Sequence, residues 1–229
     1  MAGKVCVVVG VGPGLGMACV RKWIAEGFKV AMVSRTASKL EALAAHAPGS
    51  FPFAADVTSP QSLTSALEAI ERQLGDIHTV VYNAGSGVFG PYTSVSHDKL
   101  DLSMKTNVNG LLTVAQHVGP KMTARGEGIF AVTGATAALR GKPMTPGFAT
   151  AKAAQRMLTQ SLARDLGPKG VHCFYVIVDG GIGKDSGDVG ENSSKMDPDA
   201  IAQTYWDLAC QPKNCWSEEI DVRPWVENW

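Results

Sequence analysis

The 229-residue chain carries 21 Lys plus Arg against 21 Asp plus Glu, a formal charge of zero, so no electrostatic field favours nucleic acid or an anionic membrane surface. Its five cysteines form no Cys-x-x-Cys and its five histidines no His-x-x-x-His, which leaves neither a disulfide framework nor a metal site indicated; reduced thiols point to the cytoplasm. The apolar run near the start is too short to span a membrane and lacks a leader pattern. Residues 4–10 (KVCVVVG) then form a continuous β-branched run, as in a strand buried on both faces. Leu15, Cys19 and Trp23 recur four apart in a helix over about 15–26 that stops at Gly27. A strand at 29–35, a short helix at 36–47 and a strand at 51–57 follow. Ser59 and Pro60 open a helix with Leu63, Leu67, Ile70 and Leu74 on one face, ended by Gly75.

A fourth strand occupies 77–85, and the spacing of Leu100, Met104, Val108, Leu111, Ala115 and Val118 predicts one long helix over about 98–118. Residues 128–134 form a strand, 148–166 a helix ended by Gly167-Pro168, and 171–181 a strand. Asp197-Pro198 opens a helix stopped by Pro212, and 219–223 is a last strand. This alternation calls for an α/β fold: a doubly wound parallel sheet of about seven strands, helices on both faces, one domain over 1–229. Residues 180–194 are rich in Gly, Ser and Asp without periodicity, and a mobile substrate loop is expected over about 181–196. Trp206, Trp216, Trp225 and Trp229 are expected to cover the last strand or a subunit contact.

In such a sheet, ligands bind beyond the carboxyl ends of the strands. The stretch from Gly10 through Gly12, Gly14 and Leu15 to Gly16 lies there, and its glycines let backbone and helix N-terminus approach a pyrophosphate. The G-x-G-x-x-G pattern fails, because its third Gly falls on Leu15 or Met17; Gly10-x-x-x-Gly14-x-Gly16 fits. With this spacing the chain resembles the short-chain dehydrogenase/reductase family over nearly its whole length. Further matches are Asp56-Val57 after the third strand, Asn83-Ala84-Gly85 after the fourth, Asn107 in the long helix and Lys152 of the Tyr-x-x-x-Lys motif. Val9 replaces the Thr usual before the first Gly.

The second strand ends in Ser34-Arg35-Thr36, with no acid to accept from a ribose hydroxyl, and Lys39 lies one turn on. A guanidinium fork suits a 2′-phosphate, so NADP(H) is expected over NAD(H). Asp179-Gly180 stands where the family often has Pro-Gly, which would place Asp179 near the nicotinamide.

The resemblance implies a catalytic Tyr, a Lys one turn on that holds the nicotinamide ribose, a Ser orienting the substrate oxygen, and an Asn completing a water relay. Spacing four puts the Tyr and Lys positions on one helix face. Here Lys152 and Asn107 are kept, the Tyr position is Phe148, and the Ser position is Ala135. Gly141 and Pro143 support that register, and Thr133 and Thr136 flank the lost Ser. Backbone hydrogen bonding is the expected use of both Thr residues, although Thr136 is retained as a candidate site residue. The resulting expectation is an NADP-dependent oxidoreductase with a non-standard active site, transferring hydride to a small carbonyl, enone or quinone-like substrate. The alternatives are an NADP(H)-binding pseudoenzyme acting as sensor or assembly subunit, a different chemistry on the same fold, and a structural subunit. The two longest helices, and the resemblance, imply a homodimer or homotetramer.

Overall fold

Every residue of β1 (Val5–Val9) is buried, and a strand covered on both faces belongs inside a sheet. The computed structural model, which describes residues 3–190 and 192–227, places it there. The sheet runs β3 (Ser50–Ala54), β2 (Lys29–Ser34), β1, β4 (Ile77–Tyr82), β5 (Gly128–Thr133), β6 (Val171–Val178) and β9 (Glu219–Val222). All of its pairings are parallel, as the strand–helix alternation requires. Strands β7 (Gly181–Ile182) and β8 (Lys195–Met196) pair separately, joining the two ends of the Gly-rich segment.

Helices cover both faces. On one, Leu63, Leu67 and Ile70 of α3 (Pro60–Leu74) pack with Leu111, Val114 and Val118 of α5 (Gly110–Arg125). On the other, Leu15, Cys19 and Trp23 of α1 (Leu15–Ala25) pack with Ile201, Tyr205 and Leu208 of α7 (Pro198–Ala209). Ser59 caps α3 by accepting from Ser62 N–H at 3.3 Å, with Pro60 at the first position. Strand order reverses between β1 and β4, so a crevice opens where their carboxyl ends diverge.

The structure corrects three boundaries. The long helix is not continuous: α4 (His97–Met104) passes through a π turn at Lys105–Asn109 before α5. It also runs past Gly119-Pro120 to Arg125, because Met122 is fully buried and tertiary packing outweighs the proline. The third strand stops at Ala54, since Asp56 turns the chain by accepting from Thr58 N–H at 2.9 Å. Of the late tryptophans, Trp206 meets Trp23 edge-on at 5.9 Å and Trp216 stacks on His172 at 4.7 Å, so both cover the sheet. Trp225 is 76% exposed, and Trp229 lies outside the described residues.

Candidate active site

The glycine loop follows β1 directly. Gly10 has φ +93°, which a side chain resists, and a Cβ there would overlap the Ala84 backbone. At Gly16 a Cβ would stand 2.9 Å from the Gly10 carbonyl oxygen. The bare backbone thus opens a 320 Å³ cavity at the start of α1, lined by Gly10, Gly12, Gly14, Leu15 and Gly16. Ile182, Gly183 and Lys184 face the loop across it. Lys184 is a cation the motif comparison missed; its position inside the Gly-rich segment was the available signal.

The next cleft, 380 Å³, is lined by Ser34, Arg35, Val57, Asn83, Ala84 and Gly85. Beside it a 540 Å³ recess gathers Ser34, Arg35, Thr36, Lys39 and His46. Asp56 serves the turn: its carboxylate accepts from both the backbone and the hydroxyl of Thr58, and the backbone bond chiefly holds its pKa below the usual range. Asn83 ties strand to loop, donating to the Gly10 carbonyl at 2.9 Å and accepting from the Thr133 hydroxyl at 3.0 Å.

Deeper, the π turn sets Asn107 into the core. Its amide donates to Ser103 and Ser86 carbonyls at 2.9 and 3.2 Å, while its buried Oδ1 has no partner among the described residues. Such turns recur at functional sites. A Cβ on Gly85 would lie 3.4 Å from that oxygen and 3.7 Å from Lys152 Nζ, so both reach the cleft floor beneath Gly85.

Lys152, on α6 (Pro146–Leu166), is 5% exposed. Its ammonium donates to the Thr133 carbonyl at 2.8 Å and to Gln155 Oε1 at 2.9 Å. Gln155 in turn donates to the Asn107 carbonyl at 3.1 Å, so one buried amide joins Lys152 and Asn107. Sequence comparison missed Gln155, although a polar residue one turn after Lys152 on an apolar helix stripe was visible. Burial alone pushes the Lys152 pKa down from 10.5 to about 7. The Thr133 hydroxyl does not make the expected backbone bond but joins two side chains, donating to Asn83 and accepting from Tyr205 at 2.9 Å. Tyr175, the tyrosine on β6, points its hydroxyl at the Lys152 carbonyl behind the site (3.3 Å), and burial raises its pKa strongly.

At the mouth, Phe148 rests against Phe89, ring centroids 5.1 Å apart. Together with Thr136, Arg140, Lys142 and Asp179 they line a 150 Å³ cavity. Ala135 adopts extended backbone just before the turn that carries Thr136. Thr136 is 8% exposed and its hydroxyl has no partner among the described residues. Asp179 lies 4.0 Å from Arg140 and 3.8 Å from Arg223. Its neighbour Gly180 packs on Pro224, where a Cβ would be 2.9 Å from the ring. Among the described residues no cluster of His, Cys, Asp and Glu could hold a metal ion.

The glycine cradle and the basic recess each share lining residues with the cleft between them, Gly10, Gly12 and Asn83 on one side and Ser34 and Arg35 on the other. The short chain dehydrogenase family matches residues 4–184 of the chain. The chain belongs to that family. By class it is therefore an NAD(P)-dependent oxidoreductase. Relatives span it widely. An oxidoreductase (asL5) of Sarocladium schorii is 31% identical over 75% of this chain and 69% of its own length. The serine 3-dehydrogenase of Agrobacterium fabrum is 29% identical over 98% of this chain and 94% of its own. Among solved structures, a short-chain dehydrogenase from Rhodopseudomonas palustris superposes with TM-score 0.86 at 28% identity, covering 98% of this chain and 100% of that one. In this short-chain dehydrogenase, Lys152 and Asn107 are joined through Gln155, and residues 148 and 135 are Phe and Ala, which carry no side-chain hydroxyl.

Proposed function

We propose that these adjoining cavities form a groove that binds NADP(H) and that the chain transfers hydride between it and a small carbonyl, enone or quinone-like substrate without a tyrosine acid. The observation that carries the reading is the buried Lys152–Gln155–Asn107 chain beneath a groove whose far end holds Arg35 and Lys39. Gly10, Gly12, Gly14, Leu15 and Gly16 would take the pyrophosphate, with Lys184 opposite. Ser34 and Arg35 would take the 2′-phosphate, Asp56 and Val57 the adenine end, and Asn83, Ala84, Gly85 and Lys152 the ribose side. Asp179 and Gly180 would flank the nicotinamide. When bound there, the cofactor supplies the hydride.

The chain's own part follows from what remains. Lys152 has one ammonium proton beyond those given to Thr133 and Gln155, enough for one ribose hydroxyl. Phe148 and Phe89 exclude water but move no proton. Losing general acid catalysis forfeits about a hundred- to ten-thousand-fold. Acceptors that spread charge away from the attacked carbon suffer least, which favours enones and quinones. The segment 181–196, of which residue 191 lies outside the described residues, borders the glycine loop through Ile182, Gly183 and Lys184, and we assign it as the element that admits substrate. The five free thiols support a cytoplasmic location.

A substrate screen followed at the nicotinamide absorbance tests the reaction. NADPH should be consumed with at least one activated enone or quinone. Tight NADPH binding with no turnover across the panel would instead favour the sensor reading, to which the missing hydroxyls at 135 and 148 also point.

Self-association is part of the proposal. Leu112 on α5 is 39% exposed and Met157 on α6 is 48% exposed, on the two helices expected to meet their copies. Light scattering at micromolar concentration should give two or four times the 24.1 kDa chain; a monomer mass would refute the assembly.

A further inference from the structure

We propose that Gln155 is a positioning residue of this site: its amide, locked between the Lys152 ammonium and the Asn107 carbonyl, aims the lysine and controls its charge through a neutral acceptor. The cofactor arm of this inference rests on the reading above; the lysine arm does not.

Geometry comes first. Gln155 follows Lys152 by three positions on α6, so the two side chains share a helix face. Gln155 is fully buried and Lys152 is 5% exposed, so neither can turn to bulk water for a partner. Gln155 Oε1 accepts from Lys152 Nζ at 2.9 Å, and Nε2 donates to the Asn107 carbonyl at 3.1 Å. Only one orientation of the amide satisfies both contacts. Turned over, it would set its N–H groups against the ammonium and its oxygen against the carbonyl. A third bond, from the ammonium to the Thr133 carbonyl at 2.8 Å, completes the clamp. The lysine is thus tied to β5 on one side and, through Gln155, to the π turn on the other. An apolar residue would fill the same space without needing partners, so packing alone does not call for an amide here.

Charge comes second. Both oxygens that accept from the ammonium, those of Thr133 and Gln155, are neutral. Burial pushes the lysine down to about 7, and among the described residues no charged side chain opposes it. Three phenols enter the surrounding bond network. Tyr175 donates to the Lys152 carbonyl, Tyr205 to the Thr133 hydroxyl and Tyr82 to the Thr106 carbonyl of the π turn. Burial raises all three, so they stay protonated near neutrality. A carboxylate at 155 would reverse the control. The buried Glu–Lys pair would hold one proton between its two members, as the unfolded Glu and Lys together do from pH 7 to 9. The neutral amide instead lets the native amine lose its proton in a range where the unfolded one keeps it.

The test uses the full chain and the variants Gln155→Glu, Gln155→Met and Lys152→Met in two measurements. Denaturant melts without cofactor at pH 7 and pH 9 read the lysine's charge. In wild type the folding constant should gain up to about tenfold per pH unit, because folding releases one proton. Gln155→Glu should lose that gain. Gln155→Met, which keeps the burial, should retain it while being less stable at both pH values. A merely structural role would shift both variants by amounts independent of pH. Calorimetric titration with NADPH and NADH from pH 6.5 to 9 reads the aim. Wild-type affinity for both should fall about tenfold as the ammonium loses its proton, the effect of one charge-assisted bond. Gln155→Glu should flatten that profile, as should Lys152→Met at a weaker affinity. Gln155→Met should weaken the two cofactors by the same severalfold factor at pH 6.5, because the ribose is common to both. A Gln155→Glu protein with the wild-type pH dependence in the melts, or a Gln155→Met protein with wild-type affinity at every pH, would overturn the inference. If Gln155→Glu fails to fold, the Gln155→Met profile decides. If neither cofactor binds wild type, the functional reading falls, and the melts still decide this one.

Discussion

Phe148→Tyr combined with Ala135→Ser raises NADPH-dependent reduction of small reactive ketones and diketones at least about tenfold above wild type, a modest share of what a positioned acid supplies. The geometry admits both changes. Phe148 is half-buried at a cavity wall and faces Phe89, so a hydroxyl at its ring end enters the cavity without overpacking the core. Ala135 is half-buried in extended backbone that a serine adopts as readily. Lys152, one turn beyond residue 148, is already held by Thr133 and Gln155, and its positive form would lower the pKa of the new phenol. NADPH oxidation by wild type and double variant across a carbonyl panel reads the effect. Strong carbonyl reduction by wild type that the double change leaves unaltered would show that another group already serves as the acid.

The second large effect is on stability. Lys152 is buried with its pKa pushed from 10.5 to about 7, so between those values the unfolded chain binds a proton that the native chain does not. Stability of the wild type therefore rises with pH across that window, by roughly 1.4 kcal/mol per unit from this group alone. Lys152→Met removes the contribution and keeps the stem. Relative to wild type, the variant should lose about 2–3 kcal/mol of stability between pH 7 and pH 9. Denaturant melts of both proteins at the two pH values measure it, and taking the difference cancels other titrating groups. Tyr175, whose hydroxyl reaches the Lys152 carbonyl, has its pKa driven upward by burial and is silent in this range. A difference independent of pH would mean that the ammonium stays charged in the fold. The same variant should bind NADPH more weakly, since a donor to the ribose is gone.

How much of this was legible follows from where each signal lies. The sheet was readable because apolar strand-length runs alternate with helical stretches, and the run Val5–Val9 is covered on both faces as its unbroken apolar character requires. The glycine loop was readable because Gly10 and Gly16 are needed by close backbone approach, which leaves a fixed local spacing. Lys152 and Phe148 were readable because four residues on a helix share a face. The π turn at Asn107 was not: one extra residue per turn barely disturbs a stripe such as Met104, Val108 and Leu111. Nor was the cluster of Arg140, Asp179 and Arg223, whose members come from a turn after β5 and from the ends of β6 and β9. Only the parallel pairing of β6 with β9 brings them together, and nothing local in the chain announces it. The same holds for Tyr205, which reaches Thr133 from a helix more than sixty residues away in sequence. Gln155 is a middle case: its polarity on a buried stripe was visible, but its two partners were not.

The most direct test of the account is calorimetric titration of wild type and Arg35→Asp with NADPH and with NADH. Arg35 and Lys39 share the recess beside the cleft lined by Val57 and Asn83, so on the proposed reading a carboxylate at 35 would face the 2′-phosphate. Wild type should bind NADPH more tightly than NADH by about tenfold or more, the scale of one charge-assisted pair. Arg35→Asp should abolish or invert that preference while changing NADH little. Equal losses for the two cofactors, or no binding of NADPH to wild type, would contradict the reading of this groove as an NADP(H) site.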